Sequence, residues 1–271
     1  MLNEIKSNPL RILAVANQKG GVGKTTTAIN LGTALAAVGE NVLVIDLDPQ
    51  GNASTGLGIT RRAHQKSTYH VLIGEADLDQ VIIDSAIPRL HCAPATIDLL
   101  GAELELANMD RKTHRLQEAI NLMMAMPGRN YTYILVDCPP SLNLLTINSL
   151  TAADAILVPL QCEFFALEGL SQLLKTVERV RTTLNPRLMI QGVVLTMFDK
   201  RNSLSDQVAQ DVREVLGDKV YQTVIPRNVR ISEAPSYGKP VLLYDHACVG
   251  SQAYIKLASE VIRRERDLRA A

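Results

Sequence analysis

Residues 11–26 read RILAVANQKGGVGKTT, and an alanine-rich segment follows them. The apolar run Arg11–Ala16 predicts a buried strand. Residues 29–38 have helical spacing, which would place a set of apolar side chains on the face toward a sheet: Ile29, Leu31, Ala34, Leu35 and Val38. Glycines in the intervening loop let successive backbone N–H groups point at phosphate oxygens, and the following helix directs its positive end at the same charge. This order predicts a P-loop over Lys19–Thr26.

The loop supplies the side chains that a nucleoside triphosphate with magnesium needs. Lys24 would neutralise the β and γ phosphates, and the Thr25 hydroxyl would hold Mg²⁺. The usual pattern has glycine at position 18, where this chain has Gln18, and it has an additional lysine, Lys19. We therefore expect ATP and Mg²⁺ to be bound by the whole loop, which comprises Lys19, Gly20, Gly21, Val22, Gly23, Lys24, Thr25 and Thr26.

Acidic residues end two later apolar runs. Asp137 precedes Cys138-Pro139-Pro140, and this is the place for a carboxylate that holds magnesium through water. Asp46 and Asp48 end another run, and strand alternation puts both carboxylates on one side. One of them could orient the water that attacks ATP. Asp-Pro is also a common turn without a catalytic role, so spacing alone leaves the role of Asp48 open.

Short apolar runs alternate with amphipathic stretches along the chain. The runs that predict buried parallel strands are Arg11–Ala16, Asn41–Asp46, Tyr133–Asp137, Ala155–Leu160, Leu188–Thr196 and Val220–Ile225. This alternation predicts a doubly wound α/β fold with a mainly parallel sheet, in a single domain over residues 1–271. We expect residues 1–10 to form a loosely ordered tail, and residues 61–110 to form helices that cover one edge of the sheet.

Composition excludes several classes of protein. Lysine and arginine total 28, as do aspartate and glutamate, so net charge gives no argument for nucleic acid or membrane, and any such contact needs a local patch. The four cysteines lack the spacing of a zinc site and suit free thiols in a reducing compartment. No apolar run is long enough to span a membrane, and the N-terminus lacks the apolar stretch of a signal peptide. These features predict a cytoplasmic protein.

Four segments together resemble a known family, the ParA/Soj chromosome-partitioning ATPases. They are KGGVGKTT with Lys19, DLDPQGNAS (Asp46–Ser54), VDCPPS (Val136–Ser141) and IPRNVRISEAPSYGKP (Ile225–Pro240). Lys19 marks the deviant Walker A group of P-loop NTPases, which also includes MinD, the nitrogenase iron protein and ArsA. The DPQGN and PRNVRISEAPSYGKP segments are typical of the ParA branch, and the resemblance runs from about Arg11 to Lys256.

The resemblance implies roles for individual residues. Lys19 would reach across a two-fold interface to the phosphates of the other subunit, so that ATP holds a homodimer together. Asp48 would position the hydrolytic water, and Asp46 would support the magnesium shell from the second layer. The adenine would lie near Pro226 and Asn228, with Met197 and Asp199 as weaker candidates.

The resemblance also implies partners. ParA-type dimers bind double-stranded DNA without sequence preference, and by the resemblance Arg201 and Arg230 align with arginines that touch the DNA backbone. Arg227 and Lys256 are the next candidates for DNA contacts. Arginine suits phosphate because its fork of donors makes two parallel hydrogen bonds. A ParB-type centromere-binding protein would stimulate hydrolysis through an N-terminal basic peptide, and the protein would associate with the nucleoid during chromosome or plasmid partition. No membrane contact is expected.

Two alternatives remain at this point. A MinD-type membrane-cycling ATPase would share the P-loop but needs an amphipathic C-terminal helix that inserts into lipid. The tail Arg263–Ala271 has only Leu268 as a large apolar residue, and we expect the preceding apolar residues to pack on the core: Tyr254, Leu257, Ala258, Val261 and Ile262. A redox protein of the nitrogenase iron-protein type would use Cys138 and Cys162, although buried thiols need no ligand role.

Overall fold

The sheet runs through the middle of the molecule. The computed structural model describes residues 9–60, 65–163 and 166–270, and within them one sheet has the order β3-β4-β2-β5-β1-β6-β7-β8. The strands are β1 (Arg11–Val15), β2 (Val42–Asp46), β3 (Ile83–Asp84), β4 (Leu90–Ala93), β5 (Tyr133–Asp137), β6 (Ala155–Gln161), β7 (Met189–Phe198) and β8 (Val220–Pro226). Every pairing is parallel except that of β3 with β4. The predicted fold class is confirmed.

Helices cover both faces of this sheet. They are α1 (Lys24–Ala37), α2 (Asn52–Gly56), α3 (Thr68–Ile73), α4 (Leu78–Val81), α5 (Leu99–Ala107), α6 (Arg115–Met124), α7 (Leu144–Ala152), α8 (Ala166–Thr183), α9 (Ser203–Leu216), α10 (Val229–Glu233), α11 (Val241–Tyr244) and α12 (Val249–Ala270). Successive strand residues point to opposite faces. Leu13 and Val15 accordingly lie in one apolar core and Ala14 in the other.

The central strand β1 is where the winding direction changes. It pairs with β5 on one side and β6 on the other, and the chain continues from β2 toward one edge and from β6 toward the opposite edge. In open α/β sheets, ligands bind at such a switch point, beyond the carboxyl ends of the strands. The loop from β1 to α1 lies at this position, so the topology and the P-loop prediction agree.

Helix α1 is buried on nearly all sides because the sheet lies against one side and α12 packs against another. Gly32 permits the close approach, since a Cβ there would lie 3.3 Å from Val44 Cγ2 and 3.4 Å from Leu135 Cδ1. The prediction for Val38 is wrong. That side chain is 56% exposed because α1 ends at Ala37 and Val38 is the capping residue.

Residues 61–110 contain the helices that were expected, α3 to α5, but they also contribute two strands. Strand β4 pairs with β2, and β3 forms a two-residue antiparallel edge. Sequence reasoning missed both because LHCA and ID are too short for a period-two pattern to be read. Residues 61–64 lie outside the described residues, as do residues 1–8 of the expected N-terminal tail.

On the edge strand β8, two backbone N–H groups donate hydrogen bonds to a side chain of α12. Glu260 accepts hydrogen bonds from Gln222 N at 2.9 Å and Thr223 N at 3.0 Å, and Arg264 Nη2 donates to it at 3.2 Å. Burial opposes ionisation of Glu260, but these donors together lower its pKa below the ordinary value. The predicted core residues of α12 are buried, with Ile262 partly so. No helix among the described residues is long and apolar enough to cross a membrane.

Candidate nucleotide-binding site

The P-loop joins β1 to α1 and is held in place by neighbouring strands. Gly21 and Gly23 have φ of 75° and 89°, a conformation that favours glycine, and Gly23 is the N-cap of α1. Thr196 Oγ1 donates to Val22 O at 2.8 Å, and Asn17 Nδ2 donates to Pro159 O at 2.7 Å. The loop is thereby anchored to β7 and β6, and the N-terminus of α1 opens directly onto it.

Lys24 is the cation at the centre of this loop. Only 6% of the residue is exposed, and its Nζ donates to Lys19 O at 3.0 Å, so the side chain folds back over its own loop. Burial lowers the pKa of Lys24, while the charges of Asp137 and Asp48 oppose that shift. A buried ammonium group at the N-terminus of a helix is a suitable partner for phosphate.

Lys19 lies at the rim of the loop and forms an ion pair with Glu163, which follows β6. Both side chains are about half exposed, at 41% and 45%. The backbone N–H of Lys19 donates to Asn17 Oδ1 at 3.1 Å. Glu163 was not among the predicted site residues. Its only sequence signal is its position just after the carboxyl end of a predicted strand.

Asp46 and Asp137 face each other across β2 and β5 in register. Both carboxylate oxygens of Asp46 accept hydrogen bonds from the chain. Its Oδ2 accepts from Ser54 N at 2.9 Å and Ser54 Oγ at 2.7 Å, and its Oδ1 accepts from Asp48 N at 3.1 Å. Burial raises the pKa of Asp46 to about 6 despite these bonds. Asp46 therefore fixes the loop that follows β2, which suits the supporting role expected for it.

Asp137 has the opposite character. It is fully buried, and neither carboxylate oxygen has a hydrogen-bond partner within the described part of the chain. Burial and repulsion from Asp46 raise the pKa of Asp137 well above its ordinary value, and the nearby Thr25 hydroxyl and Lys24 oppose the shift. A buried carboxylate without partners is costly, so it calls for a cation.

These oxygen donors fit magnesium. Thr25 and Asp137 offer hard oxygen atoms, and within residues 9–60, 65–163 and 166–270 no cluster of three or more His, Cys, Asp or Glu could hold a metal by itself. Mg²⁺ is usually bound by one or two protein groups and completes its shell with waters and phosphate oxygens. The donor set therefore fits Mg²⁺ accompanied by a nucleotide rather than an all-protein metal cage.

Asp48 stands beside this centre in a turn. Its Oδ1 accepts from Gln50 N at 3.0 Å and its backbone O accepts from Gly51 N at 2.9 Å, which is the turn expected for Asp-Pro. The residue is 9% exposed, and it is near enough to affect the pKa of Lys24. With Oδ1 engaged in the turn, Oδ2 can contact a water molecule.

The predicted adenine residues lie where β7 and β8 end. Pro226 pairs with Phe198, and Asn228 is the N-cap of α10, with its Oδ1 accepting from Arg230 N at 3.0 Å. Met197 has a φ of 50°, an uncommon conformation for a residue with a side chain. Because β7 and β8 run parallel to β1, these residues share the edge of the sheet that carries the P-loop.

Three of the four predicted DNA-contact residues border one groove. Arg201, Arg227 and Lys256 line a groove of about 820 Å³ next to β8, and Arg230 is outside it. The Arg201 guanidinium group donates two hydrogen bonds to Asp199, at 3.0 and 2.8 Å, and the backbone N–H of Arg201 donates a third at 3.0 Å; together they lower the pKa of Asp199 to about 2.

Arg230 contacts two carboxylates instead of the groove. It lies 3.0 Å from Glu233 and 3.5 Å from Asp245. Both leading arginines, Arg201 and Arg230, are therefore engaged within the chain.

A buried asparagine connects the P-loop helix to the segment 234–241. Asn30 Nδ2 donates to Thr26 O at 2.8 Å, and its Oδ1 accepts from Val241 N at 2.8 Å. A Cβ on Gly58 would lie 2.9 Å from Gly238 O, so the same segment also packs closely behind α2. Sequence reasoning missed Asn30, because one of its two partners, Val241, lies 211 residues away.

The two cysteines of the redox alternative are inert. Burial raises the pKa of Cys138 to about 12 and that of Cys162 to about 11, and both are free thiols. A buried protonated thiol is neither a good nucleophile nor a metal ligand. The iron-protein alternative therefore gains no support from the site.

Comparisons with known proteins agree with this geometry. A family model described as an AAA domain matches residues 10–190. The chromosome partitioning protein ParA of Caulobacter vibrioides is 65% identical over 266 residues, which cover 98% of this chain and 99% of that protein. The sporulation initiation inhibitor protein Soj of Bacillus subtilis is 52% identical over 251 residues, 93% of this chain and 98% of that one.

A solved structure is also similar over nearly the whole chain. It is the cobyrinic acid a,c-diamide synthase from Mycobacterium smegmatis with bound ADP and magnesium, with 35% identity and a TM-score of 0.82 over 95% of this chain and 96% of the other.

Proposed function

Because the chain belongs to the ParA/Soj family of chromosome-partitioning ATPases, we propose that it is a switch in which Mg-ATP drives formation of a homodimer that binds duplex DNA. Hydrolysis of ATP to ADP and phosphate, stimulated by a ParB-type partner, would release the dimer. The cycle would move chromosome or plasmid origins over the nucleoid in the cytoplasm.

One observation carries the nucleotide part of this proposal. The buried ammonium of Lys24 and the buried, unpartnered carboxylate of Asp137 lie together at the P-loop. The ammonium would bind the β and γ phosphates, and Asp137 with Thr25 would hold Mg²⁺, which supplies positive charge to the phosphate oxygens. Lys24 has only the neutral carbonyl of Lys19 as a hydrogen-bond partner, and within the described residues Asp137 has none, so a phosphate and a magnesium ion would supply the charge that each group lacks.

Asp48 has the features of a residue that orients water. The turn to Gln50 fixes one carboxylate oxygen, and the hydrogen bond from its N–H to Asp46 fixes the backbone. The residue is next to the magnesium carboxylates but is not itself buried as deeply. A positioned carboxylate of this kind aligns a nucleophile for in-line attack.

Lys19 would change partners when the dimer forms. In the single chain it pairs with Glu163, and both side chains are about half exposed, so the pair is weak and easily exchanged. The phosphates bound by the other subunit offer Lys19 more negative charge than one carboxylate. A lysine supplied in trans would couple the charge of the nucleotide to the subunit interface.

DNA binding would use the basic residues at the carboxyl ends of β7 and β8. Arg201, Arg227 and Lys256 of α12 share one groove, and Arg230 lies on α10, four residues after the end of β8. Arg201 and Arg230 must exchange internal carboxylates for phosphate, which limits the net gain of each contact. The net charge of the chain is zero, so dimerisation, which doubles the number of contacts on one duplex, would decide whether binding is measurable.

Membrane cycling of the MinD type is disfavoured by α12. Tyr254, Leu257, Ala258 and Val261 of this helix are buried against the core, and the exposed large apolar residues are Val249 at its start and Leu268 near its end, too far apart to form one lipid-binding face. Amide synthesis, the activity for which the Mycobacterium smegmatis relative is named, is likewise not proposed, because the relatives named for partition are more similar to this chain.

The test is binding of the purified protein to a random-sequence duplex in ATP or ADP, with oligomeric state followed by light scattering. We expect ATP alone to give both the dimer and DNA binding, Lys24→Ala to lose both, and Asp48→Ala to keep both while turnover slows. If the protein dimerises in ATP but does not bind the duplex, the proposal that the dimer binds DNA is refuted.

The individual arginines are tested by salt dependence. If Arg230 contacts phosphate, Arg230→Ala should weaken binding to all sequences and reduce the slope of log K against log salt by about one unit. Arg181→Ala is the matched control, because Arg181 also pairs with a glutamate on its own helix, Glu178, but lies on α8 away from the basic groove. Equal slopes for the two variants would remove Arg230 from the contact surface.

A further inference from the structure

Helix α5 exposes apolar side chains on its outer side as well as burying them on its inner side. Leu99, Ala102 and Leu106 are fully buried. Three others are exposed, namely Ile97 (44%), Leu100 (62%) and Leu104 (76%). Leu100 and Leu104 are one turn apart on α5, and Ile97 lies in the turn just before the helix, where its carbonyl accepts from Leu100 N at 3.0 Å, so the three form one stripe. Scattered single leucines on a surface are ordinary, whereas a stripe of three is an unpartnered face.

The charged side chains that α5 and its N-cap themselves carry are all negative, and a lysine from outside the helix, Lys112, donates to Ala107 O at its C-terminal end at 3.0 Å. Between Arg89 and Arg111 the chain has no lysine or arginine, while Asp98, Glu103 and Glu105 lie on or beside the stripe. Each of these carboxylates bonds to a neutral group: Thr96 for Asp98, Asn143 for Glu103 and Tyr69 for Glu105. Within the described residues none of the three is in an ion pair. The three carboxylates are therefore available to a positively charged ligand without first breaking a salt bridge.

The α5 face, meaning Ile97, Leu100 and Leu104 with Asp98, Glu103 and Glu105, is bonded to two loops of the nucleotide site. Just before α5, Ala95 N donates to Ser54 Oγ at 3.2 Å, and Ser54 Oγ donates to Asp46 Oδ2 at 2.7 Å.

Further along the helix, Asn143 Nδ2 donates to Glu103. Asn143 caps α7 and ends the loop that begins at Asp137. A ligand that shifts α5 would therefore move the loops next to Asp46, at the end of β2, and Asp137, at the end of β5.

We propose that the α5 face docks a positively charged amphipathic peptide segment of a protein partner, and that the bonds to the two loops let it change the hydrolysis rate. This rests on the proposed ATPase cycle. The occupant is chosen by charge complementarity: apolar side chains would cover the stripe while lysine or arginine pairs with the three carboxylates.

DNA is excluded from this face by its negative charge. A second copy that used the same face about a two-fold axis would place like charges opposite each other.

The experiment compares Leu100→Ser/Leu104→Ser with Leu122→Ser, whose leucine is also 62% exposed but lies on α6. The probe is a fluorescent synthetic peptide of the basic N-terminal segment of the ParB-type protein from the same genome. The full-length partner is used in parallel for ATPase stimulation. We expect the double variant to raise the peptide Kd about tenfold or more and to lose stimulation, with basal ATPase unchanged. Leu122→Ser should behave as wild type.

The charge component is tested with Glu105→Lys, which should weaken peptide binding and flatten its salt dependence. Three outcomes contradict the proposal and are distinguishable. If the partner still stimulates hydrolysis in the double leucine variant, the α5 face is not the docking site, while the proposed function is unaffected. Loss of the ATP-dependent dimer in that variant shows that a second copy occupies the face. A wild-type chain that ignores both the peptide and the full-length partner overturns the partner step of the proposed function as well.

Discussion

The Ser54 hydroxyl connects Asp46 to Ala95, just before α5, and Ser54→Ala removes that connection with the loss of one oxygen atom. The hydroxyl is buried, donates to Asp46 Oδ2 at 2.7 Å and accepts from Ala95 N at 3.2 Å. A hydrogen bond to a charged group contributes about 1.5–3 kcal/mol, and a buried N–H left without a partner costs about 1–3 kcal/mol. We therefore expect the free energy of unfolding to fall by roughly 3–5 kcal/mol.

Water cannot easily restore these bonds, because one missing oxygen leaves little room for a water molecule that needs several polar partners. The loss is large against a typical stability of about 5–15 kcal/mol. The Ser54 hydroxyl also lowers the pKa of Asp46, so its removal should raise that pKa further.

The measurement is urea denaturation of the nucleotide-free protein at neutral pH with a chelator present, followed by circular dichroism. Thr55→Ala is the control, since the neighbouring Thr55 is exposed and its Oγ1 donates to Gly51 O at 3.0 Å. We expect about 1 kcal/mol for the control. If Ser54→Ala loses no more stability than Thr55→Ala, the Asp46 to Ala95 connection is not an energetic feature of the fold.

Two further predictions concern the buried polar groups of the site. Because the pKa of Asp137 is raised by folding, the folded chain keeps this carboxyl protonated at pH values where the unfolded chain, with the ordinary pKa of 3.8, is already ionised. The contribution of Asp137 to the free energy of unfolding is therefore fully present below pH 3.8 and is lost as the pH rises. Asp137→Asn should therefore unfold at a higher urea concentration than wild type at neutral pH without Mg²⁺, and this difference should shrink toward pH 3.8. The variant should not be stabilised by Mg-ATP. A difference in urea midpoint that does not depend on pH would contradict the prediction. Asn30→Ala leaves Val241 N without its partner, so amide exchange at Val241 should accelerate by more than tenfold, which corresponds to about 1.4 kcal/mol. Thr33→Ala on the same helix should leave this exchange unchanged, because the Thr33 hydroxyl donates to Ile29 O.

The sequence was sufficient to predict the strands that enclose the site. Each of the six predicted runs is a strand, because buried parallel strands are continuous apolar segments that need no context to be recognised. The P-loop was equally clear, since glycine spacing and the lysines express a local backbone requirement. Strands β3 and β4 were missed because two and four residues carry no readable period, and their pairing with β2 is a long-range event.

Side-chain partners were beyond the reach of the sequence. Nothing in the spacing of Asp46 and Asp137 indicates that the first is saturated with hydrogen bonds and the second has none. The same holds for Glu163, whose pairing with Lys19 depends on how β6 lies beside β1. In α5, leucines at positions 99, 100, 104 and 106 look alike in a one-dimensional pattern, and only the packing against α3 and α7 separates the buried from the exposed.

Glu260 has a consequence for how copies of this chain can assemble. Its carboxylate occupies the N–H groups of Gln222 and Thr223 on the outermost strand, and at the opposite border β3 offers only two residues. Both borders of the described sheet therefore offer few backbone groups in a row to which another chain could add a strand. Association by strand addition is disfavoured, and contacts between copies are left to loops and helix surfaces.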